Sequence, residues 1–355
     1  MSLQFGILNE IAAKSARSVA LSPALLQQLQ LAYPQAKFVV EASTSRIFSN
    51  DDYTSCGIEV LTDISDCDVF IGIHSIPEDE LIPNKTYLFF LDLDKNEKEQ
   101  QQFNRVALNK NCTIYNCSIL IDSDDLQRMR GLVGGYTALQ AFGLKFELFK
   151  LPNVSTFTNR TNLITYLKRP VLPPIKITVI GADTLLSGVL EIMKAMKIKQ
   201  VSDSDFLVKN YAQAVFTLLP NANSADLDRF TKGSDILIAN SQMDGKALVL
   251  SQELLNSKYC KLRIVADLNP DSNNAFACTL RQSTIEDPFY GYLPFESREV
   301  EMYHPAAIVV VGVPSSGTEL PQESSDYFGT YFKEQLIPAF FNQDVHGVLK
   351  KCISS

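Results

Sequence analysis

Strand-length apolar runs alternate with stretches of helical spacing from end to end of this chain, and that alternation limits the fold more than any other feature. "LQFGIL", "KFVVEA", "IEVL", "CDVFIGIH", "TYLFFLDL" and "CTIYNCSILI" are the runs of the first half. "ITVIG", "QAVFTLL", "SDILIAN", "LRIVADL" and "AAIVVVGV" follow in the second. Runs this apolar have no polar face to turn to water, so they predict mostly parallel sheets covered by helices on both faces. Ser22 and Pro23 start a helix over "SPALLQQLQLAYPQA", as cap and first helical residue. Gly57 closes a short one over "SNDDYTSCG".

"DDLQRMRGLVGGYTALQAFGLKF" predicts a long helix with small residues at 131, 134, 135 and 138, suited to close approach by another element. Three prolines in "LKRPVLPPIKITVIG" mark an entrance to a second domain. The expected architecture is two Rossmann-like α/β domains joined by that helix, with a cleft between them. The boundaries are 1–145 for a substrate-type domain and 146–319 for a nucleotide-binding-type domain. The helical segment 320–355, which includes "SSDYFGTYFKEQLIPAFF" with Pro338 inside it, is expected to pack back on the first.

At 355 residues and 46% hydrophobic, the chain can bury two cores. A net charge of −8 without a Lys/Arg block argues against nucleic acid as a partner. No run is long and apolar enough for a membrane span, and the start lacks a signal core. Seven scattered cysteines without a CxxC, and only three histidines, exclude an ordinary zinc site; they read as reduced thiols in a cytoplasmic protein.

Residues 176–198, "KITVIGADTLLSGVLEIMKAMKI", run from strand to helix through Gly181, where a dinucleotide-binding fold keeps its GxGxxG loop. Gly181 holds the first place, Asp183 the second and Leu186 the third, with Gly188 two residues on. A carboxylate at Asp183 competes with phosphate for the backbone N–H donors at the helix start. The residues therefore read either as a capped helix without a pyrophosphate or as a shifted cofactor with Asp183 on a ribose. Asp203 and Asp205 in "QVSDSDFL" are candidates for the ribose acid, or caps of a short helix. Asp267 and Asn269 in "VADLNPD" read as a hydroxyl-binding cluster or as a turn. The aromatics of "DPFYGYLPF" read as a lid, or as packing within their own domain.

"GILNEIAAKSARSVALSP", "FVVEASTSRIFSNDDYTSCGIEV", "CDVFIGIHSIPEDELIPNKTYLFF", "STIEDPFYGYLP" and "ELPQESSDYFG" resemble segments of the alanine dehydrogenase and saccharopine dehydrogenase superfamily over nearly the whole chain. The likeness is greatest to proteins related to the lysine-ketoglutarate reductase half of the lysine-degrading enzyme. It implies an oxidoreductase of amino acids that uses NAD or NADP, takes an amino acid or keto acid, interconverts amine and carbonyl through an imine, and forms a homodimer.

The family's lysine falls on His74, its histidine on Asp92, and its late acidic element near Pro314. Arg17 matches the family's arginine with one extra residue, Ser18, after it. His74 and Asp92 are then candidates for a proton-handling pair, or a strand-end histidine and a solvated acid. Arg17 is a candidate carboxylate clamp, and Arg46, Arg128 and Arg130 are alternatives. Two readings stay open: a working oxidoreductase with an altered proton relay, or a dehydrogenase fold retained as a binding or assembly protein.

Overall fold

The computed structural model describes residues 3–10, 17–91, 95–181, 184–243, 246–270, 275–313 and 319–353. It divides the chain into two units, Met1–Ile121 with Thr318–Ser355, and Asp122–Gly317. The long helix lies in the second of these units.

The first unit opens with β1 (Gln4–Ile7), α1 (Pro23–Ala32), β2 (Lys37–Glu41), α2 (Asn50–Ser55), β3 (Glu59–Leu61), β4 (Val69–Ile71), β5 (Thr86–Phe89), α3 (Glu97–Asn109) and β6 (Thr113–Asn116). Its sheet has the order β3-β2-β1-β4-β5-β6, and every pairing is parallel. One face buries Val39, Ile64, Phe70, Tyr87, Phe89 and Phe103. The run "CTIYNCSILI" is strand only as far as Asn116. There the Asn116 side chain accepts the Ser118 N–H at 3.1 Å, and the backbone turns into a 3₁₀ helix over Cys117–Leu120. Local side-chain bonds of this kind divert Asn from the ladder.

The second unit begins with α4 (Ser123–Lys145) and α5 (Arg160–Tyr166). β7 (Lys176–Ile180), α6 (Thr184–Ala195), β8 (Lys199–Gln200), α7 (Asp203–Val208), β9 (Val215–Leu219), α8 (Ser224–Thr231) and β10 (Ile236–Ala239) follow. After the small ribbon β11 (Gln242–Met243) and β12 (Lys246–Ala247) come α9 (Gln252–Leu255), β13 (Ile264–Asp267), β14 (Tyr290–Leu293), β15 (Arg298–Val300) and β16 (Ile308–Gly312). The sheet order is β15-β14-β16-β13-β10-β7-β9-β8, parallel except at β14 and β15. β7, β10, β13 and β16 are buried almost throughout, as their apolar composition requires.

Of the two readings of the aromatic segment after Asp287, the structure shows packing within its own unit. "DPFYGYLPF" is not a lid: Tyr290 and Tyr292 are core residues of β14, and the Tyr290 hydroxyl accepts the Leu280 N–H and donates to the Cys278 carbonyl. The segment's glycine and prolines interrupt any alternation of polar and apolar residues, and β15 and β16 supply the ladder on either side of β14.

The chain ends in the first unit with α10 (Pro321–Tyr331), a π-helical turn over Phe332–Leu336, α11 (Ile337–Phe341) and α12 (Val348–Cys352). Pro338 lacks an N–H and enters α11 in its first turn, directly after the π turn. This segment packs on the first sheet through Phe328 and Phe332 against Phe90, and Phe340 against Phe5 and Tyr115. Among the described residues, no helix is long and apolar enough to cross a membrane.

Candidate functional site

In an open parallel sheet, ligands bind outside the carboxyl ends of the strands where the strand order reverses. In the first unit that point lies at β1 and β4, with β2 and β3 to one side and β5 and β6 to the other. A cavity of about 370 Å³ opens there. It is lined by the residues after β1 (Leu8 to Glu10), by Glu41 at the end of β2, by Asp63 after β3, and by His74 after β4. Glu80 also lines it, and no lysine or arginine is among its described lining residues.

Two of these acids tie strand ends together. The buried Glu10 carboxylate accepts the Ile73 N–H at 2.6 Å and the His74 N–H at 3.1 Å. Glu41 accepts the Asn9 N–H at 2.8 Å. Burial is the main force raising the Glu41 pKa; the Asn9 bond opposes it, and the charges of Glu80 and Asp63 add to the rise. Asp63, in contrast, is held below the usual carboxylate range by its bonds from Ser65. His74 is buried, 6% exposed, on the cavity wall.

The other first-unit candidates sit differently. Asp92 lies outside the described residues. The parallel pairing of β4 with β5 does bring the chain just before Asp92 beside the chain before His74, through the Phe90 N–H to the Ile73 carbonyl at 3.0 Å. Arg17 is half-buried, its carbonyl accepts the Ile47 N–H, and it is not among the residues lining the cavity. Arg46 is structural: its guanidinium donates to the carbonyls of Phe48 and Glu41 and to Asn50 Oδ1, and lies 4.4 Å from the Tyr53 ring centroid. Glu10, Glu41, Asp63 and Glu80 were not read from the sequence as site residues. For Glu10, Glu41 and Asp63 the signal is an acid near the end of a strand run, in "LNE", "VVE" and "LTD"; Glu80, in a turn well past β4, has none.

In the second unit the reversal point lies at β7 and β10. Gly181 has φ +144°, which only glycine adopts readily, and its N–H donates to the Leu219 carbonyl at 3.2 Å. A Cβ added at Gly181 would meet the Asn240 Cβ at 3.7 Å and Leu186 methyls at 3.8 and 3.9 Å, ordinary contacts, so it is the backbone angle rather than space that calls for glycine. Asp183 lies outside the described residues. A different carboxylate is seen at the start of α6: the Thr184 hydroxyl donates to Asp124 Oδ1 at 3.1 Å.

Gly188 faces α4 rather than the turn. A Cβ there would stand 2.0 Å from the Arg128 carbonyl oxygen, and one at Gly131 would stand 1.7 Å from that of Leu185. The two glycines let α4 and α6 cross backbone to backbone. Arg128 and Arg160 both pair with Glu191 beside this crossing. Arg130 donates to the Leu268 carbonyl at 2.9 Å.

Asp203 stands at the start of α7 and accepts the Ser204 N–H at 2.9 Å. The strand before it, β8, is not beside β7; β9 lies between them. A ribose acid works from the end of the strand next to the glycine-loop strand. Here that neighbour is β9, which ends in Leu219 and Pro220.

Asp267, 1% exposed, closes β13 by accepting the Asn269 N–H at 3.0 Å, the turn its Asn-Pro sequence suggests. Burial raises its pKa, against the opposing bonds from Asn269, Ser241 and Thr279 and the nearby Arg130 charge. Among the described residues, no group of three or more His, Cys, Asp or Glu side chains could hold a metal ion.

A doubly wound unit with a glycine turn after its central strand, and a six-stranded parallel unit with a cavity at its switch point, define a two-unit α/β protein of Rossmann-like type. Comparison with known proteins specifies it further. Residues 6–133 match the family model "Alanine dehydrogenase/PNT, N-terminal domain". An L-alanine dehydrogenase structure aligns over 99% of this chain and 95% of its own, with TM-score 0.64 and 15% identity. A transhydrogenase from Sinorhizobium meliloti aligns over 99% and 96%, with TM-score 0.57 and 14% identity.

The alpha-aminoadipic semialdehyde synthase of Arabidopsis thaliana is 27% identical over 120 residues, 33% of this chain but only 11% of that protein. The resemblance to the alanine and saccharopine dehydrogenase group is thus supported in the match of residues 6–133 to that N-terminal domain, and the whole chain is similar in fold to L-alanine dehydrogenase; the chain spans about a tenth of the length of its curated relative.

Proposed function

We propose that this protein is a dehydrogenase-fold binding protein for a small amino-bearing molecule of amino-acid type, held by its ammonium group in the cavity of the first unit. The observation that carries the reading is the lining of that cavity: four carboxylates, two of them held in place by backbone N–H groups, and His74. Such a site attracts an ammonium group and repels a keto acid. Glu10 and Glu41 are fixed by backbone N–H groups, so the negative wall is preorganised.

The residues of the second unit do not fit a nicotinamide dinucleotide seated across the start of α6. Leu186 stands in the third glycine place, the Asp124 carboxylate accepts the Thr184 hydroxyl at the start of α6, and β9 separates β8 and Asp203 from β7. Lysine-related metabolism, a cytoplasmic location and a homodimer are carried over from the sequence reading as parts of this proposal. Seven free thiols support the reducing compartment.

Amine–carbonyl interconversion with NAD or NADP is the second reading. It is favoured by His74, which lines the cavity at the position where the resemblance puts the family's lysine. One experiment separates the two. Thermal unfolding is followed with a basic amino acid, a neutral amino acid and the matching keto acids, alongside titration of NADH and NADPH fluorescence. The binding reading expects stabilisation by amino acids alone and no change in nicotinamide emission. Saturable nicotinamide binding with turnover establishes the second reading, and equal stabilisation by keto acids removes the proposed role of the acids.

A further inference from the structure

The first unit is built from two chain segments, one before and one after the second unit. They meet where Tyr115 of β6 forms an antiparallel bridge with Ile353, beside the contact of α12 with the turn Cys117–Leu120. One residue from that bridge is Cys352, and two residues from it is Cys117. Both thiols are buried and are side-chain neighbours of each other, and the Cys117 S–H also lies 3.6 Å from the Tyr115 carbonyl of the bridge. The other five cysteines are also free.

We propose that Cys117 and Cys352 form a reversible disulfide on exposure to a low-molecular-weight disulfide such as oxidised glutathione, fastening the end of the chain to the first sheet. Two thiols in direct contact on segments already held by a backbone bridge are placed for closure with little backbone movement. The order of events follows from their surroundings. Cys352 ends a five-residue helix beside the exposed Lys351, in a last turn that opens at small cost, whereas Cys117 lies beneath it. The hydrogen bond from Cys117 favours the Cys352 thiolate, while burial pushes the Cys117 thiol up.

In the first step the Cys352 thiolate attacks one sulfur of the small disulfide; the protein–small-molecule S–S bond forms and one small thiolate leaves. In the second, Cys117 loses its proton and its sulfur attacks Cys352, releasing the second small thiolate. Two electrons pass from the protein to the small disulfide, and the two thiol protons end on the two small thiols.

The test incubates the whole protein with oxidised glutathione and reads intact mass, free thiols and the cross-linked peptide. The expected product has lost two hydrogens and two thiols, carries no glutathione, and yields one peptide pair joined through Cys117 and Cys352. Closing so long a loop restricts the unfolded chain, so the unfolding midpoint should rise by roughly 5 °C or more and return on reduction. Cys117→Ser should stop at a single glutathione adduct on Cys352, and Cys352→Ser should show neither product. A wild-type protein that keeps both thiols, retains the adduct on Cys352, or pairs other cysteines overturns the proposal. The wild-type peptide map decides the matter even where a serine variant folds poorly.

Discussion

Gly188→Ala is the sharpest test of what the glycines after β7 are for. If Gly188 serves the crossing of α4 and α6, an added methyl group damages folding. If it serves a cofactor, stability is untouched and only cofactor binding changes. The added Cβ would stand 2.0 Å from the Arg128 carbonyl oxygen and 2.5 Å from the Leu132 nitrogen. Both are backbone atoms, so no side chain can swing aside. Restoring an ordinary 3.4 Å separation requires the helices to part by 1.4 Å, the difference between 3.4 and 2.0 Å. That movement loosens Leu185, Leu186, Val189, Ile192 and Met193, all buried on α6.

Overpacking of this kind costs about 1–3 kcal/mol and more where backbones collide, while replacing a helical glycine with alanine returns about 1 kcal/mol. A net loss of about 2 kcal/mol lowers the midpoint of a unit this size by roughly 4–8 °C. Gly135→Ala is the internal control. Its Cβ would meet Ile192 and Val189 at 3.4 Å, ordinary contact, so the helix-propensity gain should dominate and raise the midpoint by ~1–3 °C. Thermal and urea unfolding of the two variants against wild type reads the difference. A Gly188→Ala protein as stable as Gly135→Ala would refute the helix-crossing role.

Two further outcomes follow from the first unit. The folded pKa of Glu41 is raised above its unfolded value, so the folded state holds that proton more tightly; the stability this gives is fully present below the unfolded value of 4.5 and is lost as pH rises through the folded one. Glu41→Gln should therefore gain on wild type across that window and keep the gain at neutral pH, while binding an ammonium ligand less well; a flat or opposite difference in pH-dependent unfolding refutes the assignment. Arg46→Ala removes three hydrogen bonds and the contact with Tyr53, and should cost about 2–4 kcal/mol in urea unfolding, with Arg46→Lys recovering less than half, since an ammonium cannot span the three acceptors.

The sequence carried the strands well and the site poorly, for physical reasons. β7, β10, β13 and β16 are buried apolar runs, and burial on both faces writes itself into composition. The α3 helix was passed over because only Phe103 and Ala107 are buried along it, though Asn96 and Glu99 spell a capping box at its start. Strand order has no local signature: nothing in "KQVSDSDF" announces that β8 goes to the edge with β9 inside it, and that ordering alone takes Asp203 away from Gly181. Asp124 meets Thr184 across 60 residues of chain, a proximity only the α4–α6 crossing creates. The four cavity acids lie at or after the ends of four different strands and become one site only because β1, β2, β3 and β4 run parallel.

These contacts give the two switch points a common electrostatic character. At the first, Glu10, Glu41, Asp63 and Glu80 face one cavity; at the second, Asp124 stands at the start of α6. Keto acids and nicotinamide dinucleotides are both anions. A carboxylate close to such an anion opposes its binding, strongly at the buried Glu10 and less at the exposed Asp63, Glu80 and Asp124, where water and salt screen the charge. A chain that must hold both ligands in order to transfer hydride meets that opposition in each unit separately. Removing a carboxylate from one unit leaves the other unchanged. An amino-bearing ligand in the first unit, by contrast, needs no such relief, because the same charges attract it.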